Sequence, residues 1–190
     1  MEVTLLANKG GVGKSTLSIL LHEALKKAGK SVIIRDWDAQ GTSNKALALI
    51  LGKETDPAIH HDIIIYDTPP NLEHSATIAA VKNADLALVV VSPSPADIWE
   101  AEKTVQFIRE QNSKAVIRLI FNKVRKGTLL GRLIDESAKQ ISAPTLKSML
   151  SYRECYQHAL GEGWKALDGA AREEVLELAI SITTIKTTSK

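Results

Sequence analysis

Short apolar runs, rich in β-branched residues, alternate along this chain with longer stretches in which apolar positions recur every three or four residues. The short runs predict strands at 2–7, 31–35, 62–66, 85–91 and 115–121, with a further candidate at 144–148. Several runs, such as Ile63-Ile64-Ile65 and Val89-Val90-Val91, are continuous and do not alternate with polar residues. Continuous runs indicate strands buried on both faces, as in a parallel sheet covered by helices.

Helical periodicity is clearest at 14–28, 96–111 and 168–182. In the first of these stretches the apolar residues fall on one stripe, and Gly29 follows as a stop signal. Repeated strand–helix units predict an α/β fold of the doubly wound type, with a mainly parallel sheet and helices on both faces. The predicted loops at 52–61 and 161–163 are too short to link domains, so we expect one domain over 1–190.

A glycine-rich loop precedes the first predicted helix. It reads Ala7-Asn8-Lys9-Gly10-Gly11-Val12-Gly13-Lys14-Ser15-Thr16. Glycines between a strand and a helix let backbone N–H groups approach phosphate oxygens closely, whereas a plain turn would only start the helix. We therefore expect residues 9–16 to bind a nucleotide. Lys14 would reach the β- and γ-phosphates, and the Ser15 hydroxyl would bind Mg²⁺.

Carboxylates follow the second and third predicted strands. Asp36 and Asp38 come after the second strand, and Asp67 ends the third after four apolar or aromatic residues. The carboxyl ends of parallel strands face the crevice that also holds the phosphate loop. Asp67 occupies a Walker B position, which holds Mg²⁺ through a water. Each segment alone could be an ordinary acidic turn or strand end, so the prediction depends on their combination with the loop.

Two residues of the loop depart from the ordinary phosphate-loop pattern. Asn8 stands where that pattern begins with glycine, and Lys9 is an additional lysine ahead of the glycine pair. The sequence Lys-Gly-Gly-x-Gly-Lys-[Ser/Thr] resembles the deviant Walker A loop of the ParA/MinD ATPases, which are P-loop NTPases. The resemblance implies that Lys9 reaches across a nucleotide-sandwich homodimer to the partner's phosphates. Considered without the resemblance, Lys9 could equally be a local counter-charge.

The resemblance extends through most of the chain. Asp36-Trp37-Asp38-Ala39-Gln40 is similar to the family's Asp-x-Asp-x-Gln switch motif, with Ala39 where many relatives have proline. This implies that Asp38 orients or activates the attacking water and that Asp36 lies in the outer shell of the metal. Trp37 would be a core residue or part of a dimer face. Asp67-Thr68-Pro69-Pro70 matches the family's Asp-x-[Pro/Ala]-Pro, and segments 92–97 and 153–156 look like those of small plasmid-partition ATPases.

The sequence predicts which nucleotide base is bound, because residues typical of guanine-binding proteins are missing. Asn122-Lys123-Val124-Arg125 begins like the guanine-reading motif Asn-Lys-x-Asp, but Arg125 stands where the carboxylate would pair with guanine. Residues 67–70 likewise lack the glycine of the GTPase motif Asp-x-x-Gly. We therefore expect ATP, with Asn122 contacting the adenine.

The composition of the chain excludes several classes of protein. A chain of 190 residues with 44% hydrophobic and 24% charged residues can fold around a core, which excludes wholesale disorder. The longest clear apolar run, 86–91, is too short to span a membrane, and the N-terminus lacks the pattern of a signal peptide. The single cysteine, Cys155, excludes an internal disulfide framework and a Cys-rich metal site. We expect a cytoplasmic protein with no membrane partner.

The net charge of +2 conceals an asymmetry along the chain. Segment 114–153 contains nine lysines and arginines against only Asp135 and Glu136. Clustered cations bind DNA phosphates without reading bases, although an ordinary solvated surface is the alternative. We expect nonspecific binding of double-stranded DNA, with Arg125, Lys126 and Arg132 as candidate contacts.

Among ParA/MinD relatives, the chain resembles small partition and cargo-positioning ATPases that lack an N-terminal helix-turn-helix. Residues 182–190 are too polar and short for a MinD-like membrane helix. The resemblance implies a nucleoid-associated switch: ATP and Mg²⁺ join two copies, the dimer binds DNA, and slow hydrolysis stimulated by a ParB-like adaptor releases it. The cargo would be a plasmid or a protein assembly such as carboxysomes. The alternatives are an ATP-dependent small-molecule synthetase of the dethiobiotin-synthetase type and an adaptor that binds nucleotide without hydrolysing it.

Overall fold

Five parallel strands form the central sheet of the computed structural model, which describes residues 1–52 and 60–187. The strands are β1 (Glu2–Leu6), β2 (Val32–Asp36), β3 (Ile63–Asp67), β4 (Leu86–Val91) and β5 (Val116–Phe121). Their order is β2-β3-β1-β4-β5, and every neighbouring pair is parallel. All five agree within one residue with strands predicted from the sequence. Parts of the predicted loop at 52–61 and of the tail at 182–190 lie outside the described residues.

Eight α-helices are present in the described ranges. They are α1 (Lys14–Lys27), α2 (Thr42–Leu51), α3 (Ser75–Asn83), α4 (Pro95–Gln111), α5 (Leu129–Arg132), α6 (Ile134–Ala138), α7 (Cys155–Glu162) and α8 (Gly169–Thr183), with a 3₁₀ helix at Gly163–Ala166. The three predicted helices correspond to α1, α4 and α8. Side chains cap the starts of α4 and α8: the Ser94 hydroxyl accepts the Asp97 N–H before α4, and the Asp168 carboxylate accepts the Ala171 N–H before α8.

Two apolar cores cover the two faces of the sheet. Alternate residues of β4 contribute to different cores: Leu86, Leu88 and Val90 to one, and Ala87, Val89 and Val91 to the other. The first core includes residues of α1, α2, α7 and α8, and the second includes residues of α3, α4 and α6. This arrangement confirms the doubly wound α/β fold and explains why the strands are continuous apolar runs.

Two local predictions are wrong. No strand forms at 144–148, where the described backbone makes only an isolated parallel bridge from Thr145 to Leu119. Leu119 N–H donates to Pro144 O at 2.9 Å and Leu146 N–H donates to Leu119 O at 2.8 Å, but Phe121 O accepts from Leu150 N–H, so the ladder does not continue through 146–148. The predicted loop at 161–163 is also incorrect, because Gly161 lies inside α7 and the chain turns only at Gly163, where φ is 60°.

Candidate nucleotide-binding site

The glycine-rich loop lies between the carboxyl end of β1 and the start of α1, at the centre of the sheet. Strands β3 and β2 lie on one side of β1, and β4 and β5 on the other, so the chain changes direction around this point. Gly11 and Gly13 have φ values of 79° and 98°, which a residue with a side chain rarely adopts. A Cβ atom at Gly13 would also lie 2.5 Å from Asn122 Nδ2. Only glycine fits this position.

Lys14 is the first residue of α1, and it is buried. Burial lowers the pKa of Lys14, although the negative charges of Asp67 and Asp38 oppose the shift. The structure thus brings Asp67 and Asp38, which come from two other segments, within electrostatic reach of Lys14. An incoming phosphate would add negative charge beside this buried ammonium.

Asp67 is completely buried at the end of β3, directly beside Asp36 of β2 in the sheet register. Burial raises the pKa of Asp67, and hydrogen bonds from the Ser43 and Ser15 hydroxyls counteract the rise only in part. Ser43 Oγ donates to Oδ2 at 2.6 Å, whereas Oδ1 has no hydrogen-bond partner among the described residues. A buried carboxylate oxygen without a donor is costly, and a bound cation with its water would remove that cost.

Ser43 is a site residue that sequence analysis missed. It lies in the first turn of α2, is completely buried, and contacts both Asp67 and the backbone oxygen of Ser15, the latter at 3.5 Å. Its signal in the sequence is weak. A serine seven residues after Asp36 becomes informative only once a helix is known to begin at Thr42 and to turn this hydroxyl towards β3.

Asp36 and Asp38 shape the turn that leads from β2 to α2. Asp36 accepts the Asp38 N–H at 3.1 Å and the Asn44 N–H at 3.0 Å, and Asp38 accepts the Gln40 N–H at 3.0 Å. Trp37, between the two acids, is only half-buried and packs at 4.7 Å against the Tyr66 ring, so it is not a core residue.

The oxygen atoms around Asp67 fit a magnesium ion. Mg²⁺ prefers hydroxyl, carboxylate and water ligands, and Ser15, Asp67 and Asp36 supply the first two kinds. The orphaned Oδ1 of Asp67 is the acceptor that such an ion or its water would satisfy. The described residues contain no group of three or more His, Cys, Asp or Glu residues arranged to hold a metal, so a closed all-protein cage is absent there.

The first two polar residues of the loop are held by α4. Lys9 Nζ lies 2.6 Å from Asp97 Oδ1, and Asn8 Nδ2 donates to Glu100 Oε2 at 2.7 Å. Burial acts to raise the pKa of Asp97, but hydrogen bonds from Lys9, Ser92 and Ser94 outweigh it and leave that pKa below its ordinary value. Asn8 therefore has a structural partner that glycine at this position would lack.

Asn122 and Lys123 donate hydrogen bonds to the second half of the loop, at Val12 and Gly11. Asn122 Nδ2 donates to Val12 O at 2.8 Å, and Lys123 Nζ donates to Gly11 O at 2.6 Å. Next to Asn122 is a small cavity lined by residues of the loop, α1, the segment after β5, the segment before α7 and α7 itself, among them Gly13, Thr16, Asn122, Ser151, Tyr152 and Tyr156. Its lining includes Asn122, the residue predicted to contact adenine.

The three candidate DNA contacts are exposed and lie on one segment that follows β5. The Arg125 guanidinium carbon is 4.2 Å from the centroid of the Tyr152 ring, and Lys126 Nζ is 3.8 Å from Glu174 Oε1. Arg132 ends α5. Arg153, a further member of the predicted basic region, also pairs with Glu174, so part of the charge of that region is balanced locally.

Comparison with known proteins identifies the family. The model of the CobQ/CobB/MinD/ParA nucleotide binding domain matches residues 3–164. Maintenance of carboxysome distribution protein A from Halothiobacillus neapolitanus is 26% identical over 185 residues, which cover 86% of this chain and 85% of that protein.

Solved structures share the fold. Apo McdA from Cyanothece superposes with a TM-score of 0.77 at 14% identity, covering 95% of this chain and 98% of that chain. A putative plasmid partition protein from Borrelia burgdorferi, bound to AMPPNP, superposes with a TM-score of 0.75 at 16% identity, covering 96% and 98%. No helix in the described ranges is long and apolar enough to cross a membrane. Because the family model covers most of its length, the chain belongs to the CobQ/CobB/MinD/ParA family of nucleotide-binding domains.

Proposed function

We propose that this chain, acting as one domain, is an ATP-dependent dimerising ATPase that positions a cargo on nonspecific DNA. The observation that carries the proposal is the convergence of Lys14, Asp67 and Asp38 at a phosphate loop that also carries Lys9. A glycine loop alone would support only nucleotide binding. The added carboxylates support hydrolysis, and the added lysine supports a two-chain active site.

Each residue has a distinct role in the proposed reaction. Loop residues 10–16 cradle the phosphates, and Lys14 compensates charge on the β- and γ-phosphates. Ser15 and Asp67 hold Mg²⁺, with Asp36 in its outer shell. The bound ion would neutralise charge that develops between the phosphates. Asp38, half-buried and turned by its bond to the Gln40 N–H, orients the attacking water.

Lys9 is proposed to complete the active site of a second copy. Its ammonium is half-exposed at the edge of the loop, so it can reach another molecule without unfolding of the chain. Lys9→Ala should abolish ATP-dependent dimers in light scattering and leave the monomer folded. Lys30→Ala, at an exposed position after α1, serves as the control with the same charge change. Normal dimerisation of Lys9→Ala would contradict the two-chain site.

The carboxysome distribution relative supports cargo positioning as the output of the switch. We propose that Arg125, Lys126 and Arg132 contact DNA phosphates and that a ParB-like adaptor stimulates slow hydrolysis, with a plasmid or a carboxysome-like assembly as cargo. A gel shift on arbitrary duplex DNA with ATP, ADP or no nucleotide tests the DNA step. If about four phosphates are contacted, the log–log salt slope should be near −3.6.

The same experiment separates this proposal from a small-molecule synthetase. A synthetase would not bind DNA, so failure to bind under every nucleotide and salt condition contradicts the partition-type function. Asp38→Ala separates it from a non-hydrolysing adaptor, because turnover should fall sharply in an ATPase and stay unchanged in an adaptor. Asp36→Asn would confound this test through the metal shell, so Asp38 is the residue to change.

A further inference from the structure

The contact between Lys9 and Asp97 links the phosphate loop to the first turn of α4. The two residues are 88 positions apart in sequence, and their charged atoms are 2.6 Å apart. The Lys9 side chain is 49% exposed, whereas that of Asp97 is only 6% exposed. One partner of this ion pair can therefore move, and the other is fixed in the protein.

Asp97 is fixed by contacts on the side away from Lys9. The Ser92 hydroxyl donates to its Oδ2, and its backbone N–H is capped by Ser94 Oγ at 3.2 Å. Its position in the first turn of a 17-residue helix also favours a negative charge. On the same helix, Glu100 accepts a hydrogen bond from Asn8, so α4 contacts two adjacent residues of the loop, Asn8 and Lys9.

The contact between Lys9 and Asp97 competes with the proposed role of Lys9. The ammonium cannot lie 2.6 Å from its own Asp97 and at the same time reach a nucleotide phosphate in a second copy of the chain. We propose that Asp97 is a positioning residue that holds Lys9 in the nucleotide-free chain and releases it when ATP joins two copies. Asp97 thereby sets the concentration at which the dimer forms. The inference rests on the proposed function, because it assigns a resting position to the lysine of the two-chain site.

The expected size of the effect follows from the kind of contact. A charge-assisted hydrogen bond with one half-exposed partner changes an equilibrium constant by about tenfold. Each dimer requires the release of two such lysines. Loss of the contact between Lys9 and Asp97, here called the anchor, in both copies should therefore lower the dimer dissociation constant on the order of a hundredfold.

The test compares Asp97→Asn with Glu110→Gln in ATP-dependent dimerisation, measured by light scattering or sedimentation over a protein titration. Asparagine keeps the shape and the acceptor oxygen but removes the charge that holds Lys9. Glu110 is an exposed acid of α4, about 20 Å further along the helix, so its variant makes the same charge change without touching the loop.

We expect the dimer dissociation constant to fall by at least tenfold in Asp97→Asn and to change less than twofold in Glu110→Gln. A weaker or unchanged dimer in Asp97→Asn would overturn the inference, since Asp97 would then assist Lys9 in the dimer or have no effect on it. Ser92→Ala, which removes one donor that fixes Asp97, should shift the constant in the same direction by a smaller factor.

A double-mutant cycle in the nucleotide-free chain tests the anchor without any dimer. Urea unfolding of the wild type, Lys9→Ala, Asp97→Asn and the double variant gives the coupling between the two residues. Asp97→Asn should lower the folding equilibrium constant about tenfold more when Lys9 is present than when it is alanine. Coupling below twofold overturns the anchor itself. Strong coupling in a wild type that never dimerises with ATP would instead contradict the proposed function.

Discussion

Replacing Glu174 with glutamine should destabilise the chain by weakening the hydrogen bonds that hold the lining of the cavity beside the phosphate loop. Glu174 lies in α8 and accepts hydrogen bonds from Ser151 N and Oγ at 2.9 and 2.7 Å, from Arg153 at 2.9 Å, and from the Tyr156 hydroxyl at 2.9 Å. These three residues line the cavity together with Gly13. One carboxylate therefore holds together the segment on which the proposed base site depends.

The magnitude follows from the pKa of Glu174. Burial acts to raise this pKa, but the bonds from Arg153 and Ser151 outweigh it and lower the pKa from 4.5 to about 2. That difference corresponds to at most about 3 kcal/mol of folding free energy at neutral pH. The Glu174 side chain is still 13% exposed, and screening by water reduces our expectation to about 2 kcal/mol.

The pH dependence has a definite sign. Because the pKa is lower in the folded than in the unfolded chain, the stabilisation is complete above about pH 5 and is lost as the pH falls towards 2. The free-energy difference between wild type and Glu174→Gln at pH 3 should therefore be about half of that at pH 7 or less.

Urea unfolding followed by circular dichroism at pH 7, 5, 4 and 3 measures the difference, and a thermal scan at pH 7 should show a midpoint lower by roughly 4–8 °C. Glu173→Gln changes the exposed neighbour on α8 and is the matched control. A loss below about 0.5 kcal/mol at pH 7, the range of ordinary surface substitutions, would refute the assigned role of the network. A difference that stays constant from pH 7 to pH 3 would refute the ionic explanation.

Two further substitutions test the site itself. Burial raises the pKa of Asp67 above its unfolded-state value, so its ionised form costs stability as the pH rises. Asp67→Asn should accordingly raise the urea midpoint of the nucleotide-free chain at pH 7 and abolish the Mg²⁺-dependent stabilisation by ATP; a lowered midpoint would contradict this explanation. Gly13→Ala should destabilise the chain by about 1–3 kcal/mol and prevent ATP binding, because its Cβ would meet Asn122 at 2.5 Å in a backbone with φ of 98°. Gly10→Ala, whose Cβ meets no atom within 4 Å, should unfold at the wild-type urea concentration.

Elements with a strong pattern were predictable from the sequence, and weaker ones were not. The strands were found because residues such as those of β4 serve two cores at once, which leaves an unbroken apolar run. Helix α2 has no comparable signal: its only buried residues are Ser43, Ala46 and Leu47, and it begins after Gly41 with φ of 60° rather than after a side-chain cap. The error at 144–148 has the opposite cause, since this segment lies beside β5 and bonds to Leu119, but the next bond from β5, at Phe121 O, goes to Leu150 N–H, so no strand forms there.

The candidate site likewise has one part that was predictable from the sequence and another that was not. Residues 9–16 are contiguous, and their spacing alone indicated phosphate binding. Contacts such as Asn8 with Glu100 and Lys9 with Asp97 join positions about ninety residues apart, and no local pattern specifies them. Ser43 was missed for the same reason, because its partner Asp67 belongs to a different strand–helix unit.

The loop therefore consists of two halves with different partners. Asn8 and Lys9 are tied to acidic residues of α4, whereas Gly11 and Val12 are braced by Lys123 and Asn122 beyond β5. The second half, with Lys14, contains the groups proposed to cradle a nucleotide of the same chain, and it is held by partners other than those of Lys9 and Asn8. If the proposed function holds, ATP binding by the monomer and release of Lys9 are expected to be separable steps. Lys9→Ala should bind ATP with an affinity close to that of the wild type while failing to dimerise, and a loss of both together would show that the two halves act as one unit.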